Sequence, residues 1–563
     1  LKKIGYVVLV LATLALIYYG TGNSETRLEN KIDTNVSDGI LSLMAQDYNQ
    51  ESVTLVVNGN TVSTEDYTPY LSDKLAVMMP VDIISDKLGC SVDIYSNGSV
   101  VIAKNDNTVK MTVNSSSAEI NGEKTDLDDL VCKQDEEIYI PFDKVAEALN
   151  YYCSYDYSTN KITMKKLSAD SKLPSSYDMR DDDRVSQVRD QGESGTCWAF
   201  ASLAALETTL RPEEKLQFSV DNMTQNNGFG DGQLEGGQYR MSIAYLASWK
   251  GPVLEQDDPY GDGETDSSLA AVKHLQEAQI LEGDDLDAIK RMVYTKGGVE
   301  TAIYCDMKDA TSSSDYYDKD NYSYCYNGSE NVNHDVVIVG WDDNYRKENF
   351  IQQPAGDGAF ICKNSWGTEF GDEGYFYISY YDNHICDNSV VYTELESADN
   401  YDKIYQSDLL GWVGVLGFDQ EDAYFANVYT AGEGEQLKAV AFYATDAMST
   451  YEVYVVTDYE TTDDLSNRTL VASGEMENAG YYTVKLDESV DLADNAKFAV
   501  IVHITTPDSK YPIAIEYDEN DMTDGFDVSD GEGYISLYGK QWFSAEEDRN
   551  CNVCLKAFTD KAE

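Results

Sequence analysis

The stretch Gln191-Gly192-Glu193-Ser194-Gly195-Thr196-Cys197-Trp198-Ala199-Phe200 limits what this chain can fold into more tightly than any other. Beyond Cys197 the apolar positions Ala199, Leu203, Leu206 and Leu210 recur at helical spacing until Pro212 interrupts them. The cysteine therefore opens a helix. Roughly half a positive charge from the aligned peptide dipoles sits at such an end, which is expected to lower the thiol pKa and raise the population of thiolate, the species that attacks a carbonyl. A buried structural cysteine is the competing reading of this segment taken alone.

A thiolate nucleophile needs a base, and the chain has four histidines. His334 begins Asn333-His334-Asp335-Val336-Val337-Ile338-Val339-Gly340-Trp341, which reads as a strand with a glycine turn behind it. It follows the cysteine within the interval of about 130–150 residues seen between nucleophile and base in one class of cysteine peptidases. Further on, Lys363-Asn364-Ser365-Trp366-Gly367 supplies a carboxamide, Asn364, suited to orient the imidazole. The other histidines read as structural: His274 on a polar helix, His384 in a loop and His503 in an apolar strand.

These motifs, in this order, resemble the papain family of cysteine peptidases over residues 173–396. The resemblance implies an α+β fold with a helical lobe and a β-barrel-like lobe. It makes Cys197 the nucleophile, His334 the base and Asn364 its orienter, with the Gln191 side chain and the Cys197 N–H as donors to the oxyanion. Such a donor is typically worth about 3 kcal/mol in the transition state. It further implies that Trp366 shields the His334–Asn364 hydrogen bond from water. Gly236 and Gly237 would present backbone to an extended peptide, which the lack of a Cβ permits.

By the same resemblance, Asp335 lines the pocket for the substrate side chain two positions before the scissile bond, and a carboxylate there favours arginine or lysine. Two alternatives stand beside that reading: strand alternation turns Asp335 away from the cleft, or a nearby cation neutralises it. Ser194 and Leu234 occupy positions where the family usually carries a bridged cysteine pair, so the loops are expected to be held by packing alone. A second family bridge would join Cys325 to Cys386.

The flanks differ in texture, giving a multidomain chain. Residues 53–165 carry a repeat in which Pro80-Val81-Asp82 and Pro141-Phe142-Asp143 each open an amphipathic helix leading into alternating residues, 91–102 and 154–164. Asn58-Gly59 and Asn121-Gly122 suggest hairpin turns. This resembles the copper amine oxidase N-terminal-like, or stalk, domain, an α/β repeat. The segment contains no histidine and so offers no imidazole to copper. Short strands at regular spacing over 400–560 suggest an antiparallel β-sandwich. That region resembles a lectin-like domain, which would make carbohydrate a partner by analogy only. Residues 1–22 begin basic and run apolar, as a signal peptide or an N-terminal membrane anchor does.

A net charge of −60 repels phosphates and anionic head groups, which argues against nucleic acid as a partner. No cofactor is implied, and no metal: Cys551 and Cys554 lack a second ligand pair, and the acidic run 518–530 lacks the spacing of a calcium loop. The resulting reading is a secreted or cell-surface bacterial cysteine endopeptidase acting on protein or peptide substrates. The alternatives are an adhesin on the same scaffold, or a ligase using the same residues. With its motif set complete, the unit over 173–396 is expected to fold without its neighbours.

Overall fold

The structure is a computed structural model that describes Leu16–Tyr18 and, with short interruptions, residues 53–562. The expected leader or anchor lies outside the described residues apart from those three, as do the Asn58-Gly59 turn and much of the acidic run 518–530. Among the described residues no helix is long and apolar enough to cross a membrane. The chain divides into two compact units, Ser24–Ser171 and a larger one comprising Leu1–Asn23 with Lys172–Glu563.

In the smaller unit each repeat contributes a short helix, Val81–Leu88 and Asp143–Ala148, followed by a hairpin. The alternating residues form two strands per copy: Ser91–Ile94 pairs with Ser99–Lys104, and Tyr151–Asp156 pairs with Lys161–Lys166. The first reversal includes Gly98, whose φ of +83° a side chain would disfavour. Ile84, Val100, Ile102, Phe142, Val145 and Ile162 form the buried centre.

The larger unit is built around the helix Cys197–Leu210, whose residues from Trp198 to Thr208 are buried on every side. A helix apolar all round must be enclosed, and this one packs against the strands His334–Asp342, Val299–Ile303 and Ser389–Ser397. The strand His334–Asp342 lies between Val299–Ile303 and Ala359–Lys363. Gly340 is not a turn, as its sequence context suggests, but part of this strand. Ser176–Asp178 pairs alongside with Asp178 opposite Gly340, and a Cβ there would stand 2.3 Å from the Tyr177 carbonyl. Close backbone approach, not chain reversal, is what requires the glycine.

His274 is also placed differently from the sequence expectation. It lies in the strand Lys273–Leu281, not on a helix, and that strand pairs on one side with Ser389–Ser397 and on the other with Ala479–Asp491. The sheet therefore runs without a break from the central region into the C-terminal one, with Ala278 opposite Tyr481. His274 Nδ1 bonds Asn400 Oδ1 at 2.7 Å, and its ring stacks at 3.8 Å on Trp249, which in turn stacks on Phe558. Buried polar residues satisfied in this way break the alternation that would have marked a strand.

The C-terminal region is a sandwich of antiparallel strands. One layer continues the shared sheet through Ala479–Asp491, Glu435–Ala444, Leu555–Lys561 and Lys403–Tyr405. The other runs Thr469–Met476, Ser449–Val456, Lys497–Thr505, Asp422–Thr430 and Glu532–Ser536. Phe425 and Phe442 meet edge to face between them at 6.0 Å.

The shared sheet changes what to expect of a fragment ending at residue 396. Without Ala479–Asp491, the strand Lys273–Leu281 becomes an open edge and the Trp249–His274–Phe558 stack loses its end. Thermal unfolding and size-exclusion chromatography should find fragment 173–396 less stable and more self-associating than 173–562. Equal melting temperatures and monomeric behaviour would show that the shared ladder is dispensable.

Candidate active site

Cys197 stands at the first position of its helix, with Thr196 as N-cap. The strand ending at Lys363 delivers Asn364 beside the first residue of the strand His334–Asp342. His334 Nε2 and Asn364 Oδ1 are 2.8 Å apart, and the same oxygen accepts from the Ser365 N–H at 2.8 Å. That second bond fixes which end of the carboxamide is the acceptor, so Nε2 is the nitrogen carrying the proton. In the neutral ring Nδ1 is then free to accept one. Trp366 stacks on the imidazole at 4.8 Å, and His334, Asn364 and Trp366 are all buried.

Gln191 is held from several directions. Its backbone N–H donates to Ser365 O at 2.8 Å, and its side-chain Oε1 accepts from Ser365 Oγ at 2.7 Å. Nε2 donates one hydrogen to Ser194 O at 2.8 Å, which leaves a second. The Tyr260 hydroxyl donates to Gln191 O at 2.8 Å and pairs with Thr196 Oγ1 at 2.9 Å. Local motif reading missed Ser365 as the anchor of Gln191, although it sits inside a motif already singled out. Tyr260 carries no local signal at all.

The electrostatics differ from the expectation for a helix-end thiolate. Burial raises the Cys197 thiol to about 12, with the charge of Asp335 adding to it, and burial lowers His334 to about 4 against the opposing effect of Asn364. The resting pair is therefore a thiol and a neutral imidazole. Half a charge from the helix dipole is outweighed by desolvation and a neighbouring carboxylate.

Among the described residues, the hydrogen-bond partner of Cys197 Sγ is Asp335 Oδ2 at 3.7 Å. Asp335 is therefore directed toward the cysteine. No lysine or arginine among the described residues makes an ion pair with it, and burial raises its carboxyl to about 7.

The glycines differ in role. A Cβ on Gly237 would lie 2.4 Å from the Trp198 ring, so packing within the protein explains this glycine without any substrate. Gly236 has φ +95° and open space where a Cβ would project. The loops that lack the usual bridge are joined by a Gly195 N–H bond to Gln233 O at 2.8 Å, and the ideal Cβ position of Gly195 is 3.0 Å from Gly236 N. The expectation that packing alone holds them is corrected by that backbone bond. Leu234 is 78% exposed. Cys325 and Cys386 are buried and free, not bridged. Among the described residues no group of histidine, cysteine or carboxylate side chains is arranged to hold a metal.

Comparison with known proteins fits this geometry. Residues 173–393 match the papain family cysteine protease, 404–559 the lectin like domain and 56–164 the copper amine oxidase N-terminal domain. The central part of this chain is thus a papain-family cysteine protease domain by that match.

Among solved structures, the clostridial cysteine protease Cwp84 after propeptide cleavage is 25% identical with a TM-score of 0.60, covering 69% of this chain and 100% of that one. The cysteine protease and lectin-like domains of Cwp84, described as a surface layer associated protein of Clostridium difficile, give 25% identity and a TM-score of 0.61, covering 70% of this chain and 90% of that one. Cathepsin S of Bos taurus is 30% identical over 218 residues, which is 37% of this chain and 61% of the relative. Cathepsin S of Mus musculus is 30% identical over 229 residues, 39% of this chain and 62% of the relative. The chain thus spans somewhat under two thirds of these curated relatives.

The Gly237 contact yields a direct test of the packing. Gly237→Ala should destabilise the larger unit by about 1–3 kcal/mol, because the Trp198 ring sits in a buried helix with little room to move. Chemical denaturation of wild type and variant measures it, and unchanged stability would place the ring elsewhere.

Proposed function

We propose that this chain is an extracellular cysteine endopeptidase in which Cys197 is the nucleophile, His334 the base and Asn364 the residue that orients it. The observation that carries the reading is the fixed His334 Nε2–Asn364 Oδ1 bond, which leaves Nδ1 unprotonated in the neutral ring. The proton of Cys197 moves to Nδ1 as sulfur adds to the peptide carbonyl. The developing oxyanion takes hydrogen bonds from the Cys197 N–H and from the free hydrogen on Gln191 Nε2, in a site where desolvation strengthens both. His334 then protonates the departing amine, leaving a thioester. Water, losing its proton to the same nitrogen, hydrolyses that thioester and restores the thiol.

The Cwp84 neighbour, a surface layer associated protein, supports a position outside the cell. The carboxylate of Asp335 beside the nucleophile, which has no ion pair among the described residues, supports a preference for arginine or lysine two positions before the cleaved bond.

Peptide hydrolysis by the full chain tests these assignments. Cys197→Ala and His334→Ala should both lose turnover. Asn364→Ala should retain part of it, losing less than the roughly 10²–10⁴-fold that a positioned base contributes. Full turnover by Cys197→Ala would end the proposal. Ser365→Ala removes the bond that holds Gln191 Oε1 and should lower kcat about tenfold with KM little changed, since an oxyanion donor acts in the transition state. Profiling a peptide library with wild type and Asp335→Ala checks the pocket, where an unchanged preference would remove Asp335 from it.

A further inference from the structure

The contact between Asp335 and the Cys197 sulfur is unexplained by a pocket role alone. A carboxylate that only recognises a substrate side chain has no need to touch the nucleophile, yet Oδ2 lies 3.7 Å from Sγ and accepts its hydrogen. Asp335 directly follows His334 on the strand, and of these two neighbours it is Asp335 that hydrogen-bonds the sulfur among the described residues, while the side-chain partner of His334 is Asn364.

The surrounding charges do not neutralise the carboxylate. On the neighbouring strand, Glu300 is fully buried and bonded to Ser202 Oγ at 2.8 Å and Tyr392 OH at 3.1 Å; burial and the charge of Asp335 raise its carboxyl well above the usual carboxylate range, so it offers Asp335 no neutralising charge. Arg189 and Lys363 border the small cavity that Asp335 also lines, but each is committed elsewhere: Arg189 to Glu255 at 3.0 Å and Lys363 to Ser186 Oγ at 2.9 Å. His334 is directed to Asn364. The negative charge of Asp335 is thus borne chiefly by the sulfur beside it.

We propose that Asp335 is a charge latch on the nucleophile: in the resting enzyme its carboxylate accepts the Cys197 S–H and holds the sulfur protonated, and a substrate guanidinium or ammonium group that pairs with the carboxylate frees the thiol to give its proton to His334 Nδ1. This inference rests on the peptidase reading above. The step is balanced within the site: the S–H bond breaks, an N–H bond forms on the imidazole, and the carboxylate exchanges one cationic or hydrogen-bonding partner for another. The consequence is that a basic side chain raises kcat as well as lowering KM, because it removes a charge that opposes thiolate formation. Protonation of Asp335 does the same, so the latch loosens as pH falls through its carboxyl pKa, raised by burial to about 7.

The test reads the sulfur directly. In the intact chain, the rate of Cys197 alkylation by iodoacetamide is followed by mass spectrometry of the cysteine-bearing peptide, from about pH 5 to about pH 9. Wild type, Asp335→Asn and Asp335→Ser are compared, each with N-acetyl-arginine amide or the uncharged N-acetyl-norleucine amide added. The alkylation midpoint should fall by about one pH unit or more in both variants, making them roughly tenfold faster near neutrality. Arginine amide should accelerate the wild type severalfold and leave the variants unchanged. The arginine arm on wild type needs no variant to fold. Superimposable profiles, or equal acceleration of wild type and variants, would overturn the latch. Shifted profiles without any peptide hydrolysis would keep the latch and remove the peptidase reading. Hydrolysis with superimposed profiles would do the reverse.

Discussion

The site depends on one contact between elements distant in sequence: the N-terminal end of the helix Cys197–Leu210 meeting the first residues of the strand His334–Asp342. Neither element reaches that position unaided. The helix is apolar on every face and must be enclosed, and the strand supplies one wall through Val337 and its neighbours. The same burial that holds the two together encloses the imidazole and leaves the thiol only partly exposed. Fold stability and site electrostatics therefore share a physical origin, and a change that loosens the helix rehydrates the site.

Desolvation sets the balance of charges at that junction. A helix end donates a fraction of a positive charge, enough to favour a thiolate in an open site. Here it competes with the desolvation of a half-buried cysteine and a carboxylate at 3.7 Å, and it loses. Burial and Asp335 together favour the protonated form of the Cys197 sulfur. The His334–Asn364–Ser365 arrangement fixes the orientation of the imidazole proposed as the base, with the tautomer set by a backbone N–H and not by the charge of a carboxylate. Gln191 is tied to the same Ser365, so the residues proposed as base and oxyanion donor are anchored to one short loop.

Much of this was legible in the sequence because the chemistry lies in compact motifs. Gln191, Cys197, His334 and Asn364 each sit in a run whose composition names its element, and the structure brings the four segments together. The antiparallel sandwich of the C-terminal region was legible too, from short strands at regular spacing. What failed did so for identifiable reasons. Gly340 and Gly237 are glycines because a neighbouring backbone or ring occupies the space of a Cβ, and single-sequence patterning carries no trace of such a neighbour. His274 and Gln276 are buried polar residues in a strand, which erases its alternation. The ladder joining Lys273–Leu281 to Ala479–Asp491 pairs residues about two hundred positions apart, and composition marks a boundary there where hydrogen bonding shows none.

Covalent trapping addresses the central claim without requiring a known substrate. The full chain is treated with a peptidyl epoxide that alkylates activated thiols, and the adduct is mapped by mass spectrometry across all ten cysteines. The account predicts one adduct, on Cys197, formed at a rate that collapses in His334→Ala. Labelling that spreads over several cysteines, or that proceeds on Cys197 at the same rate without His334, would contradict it.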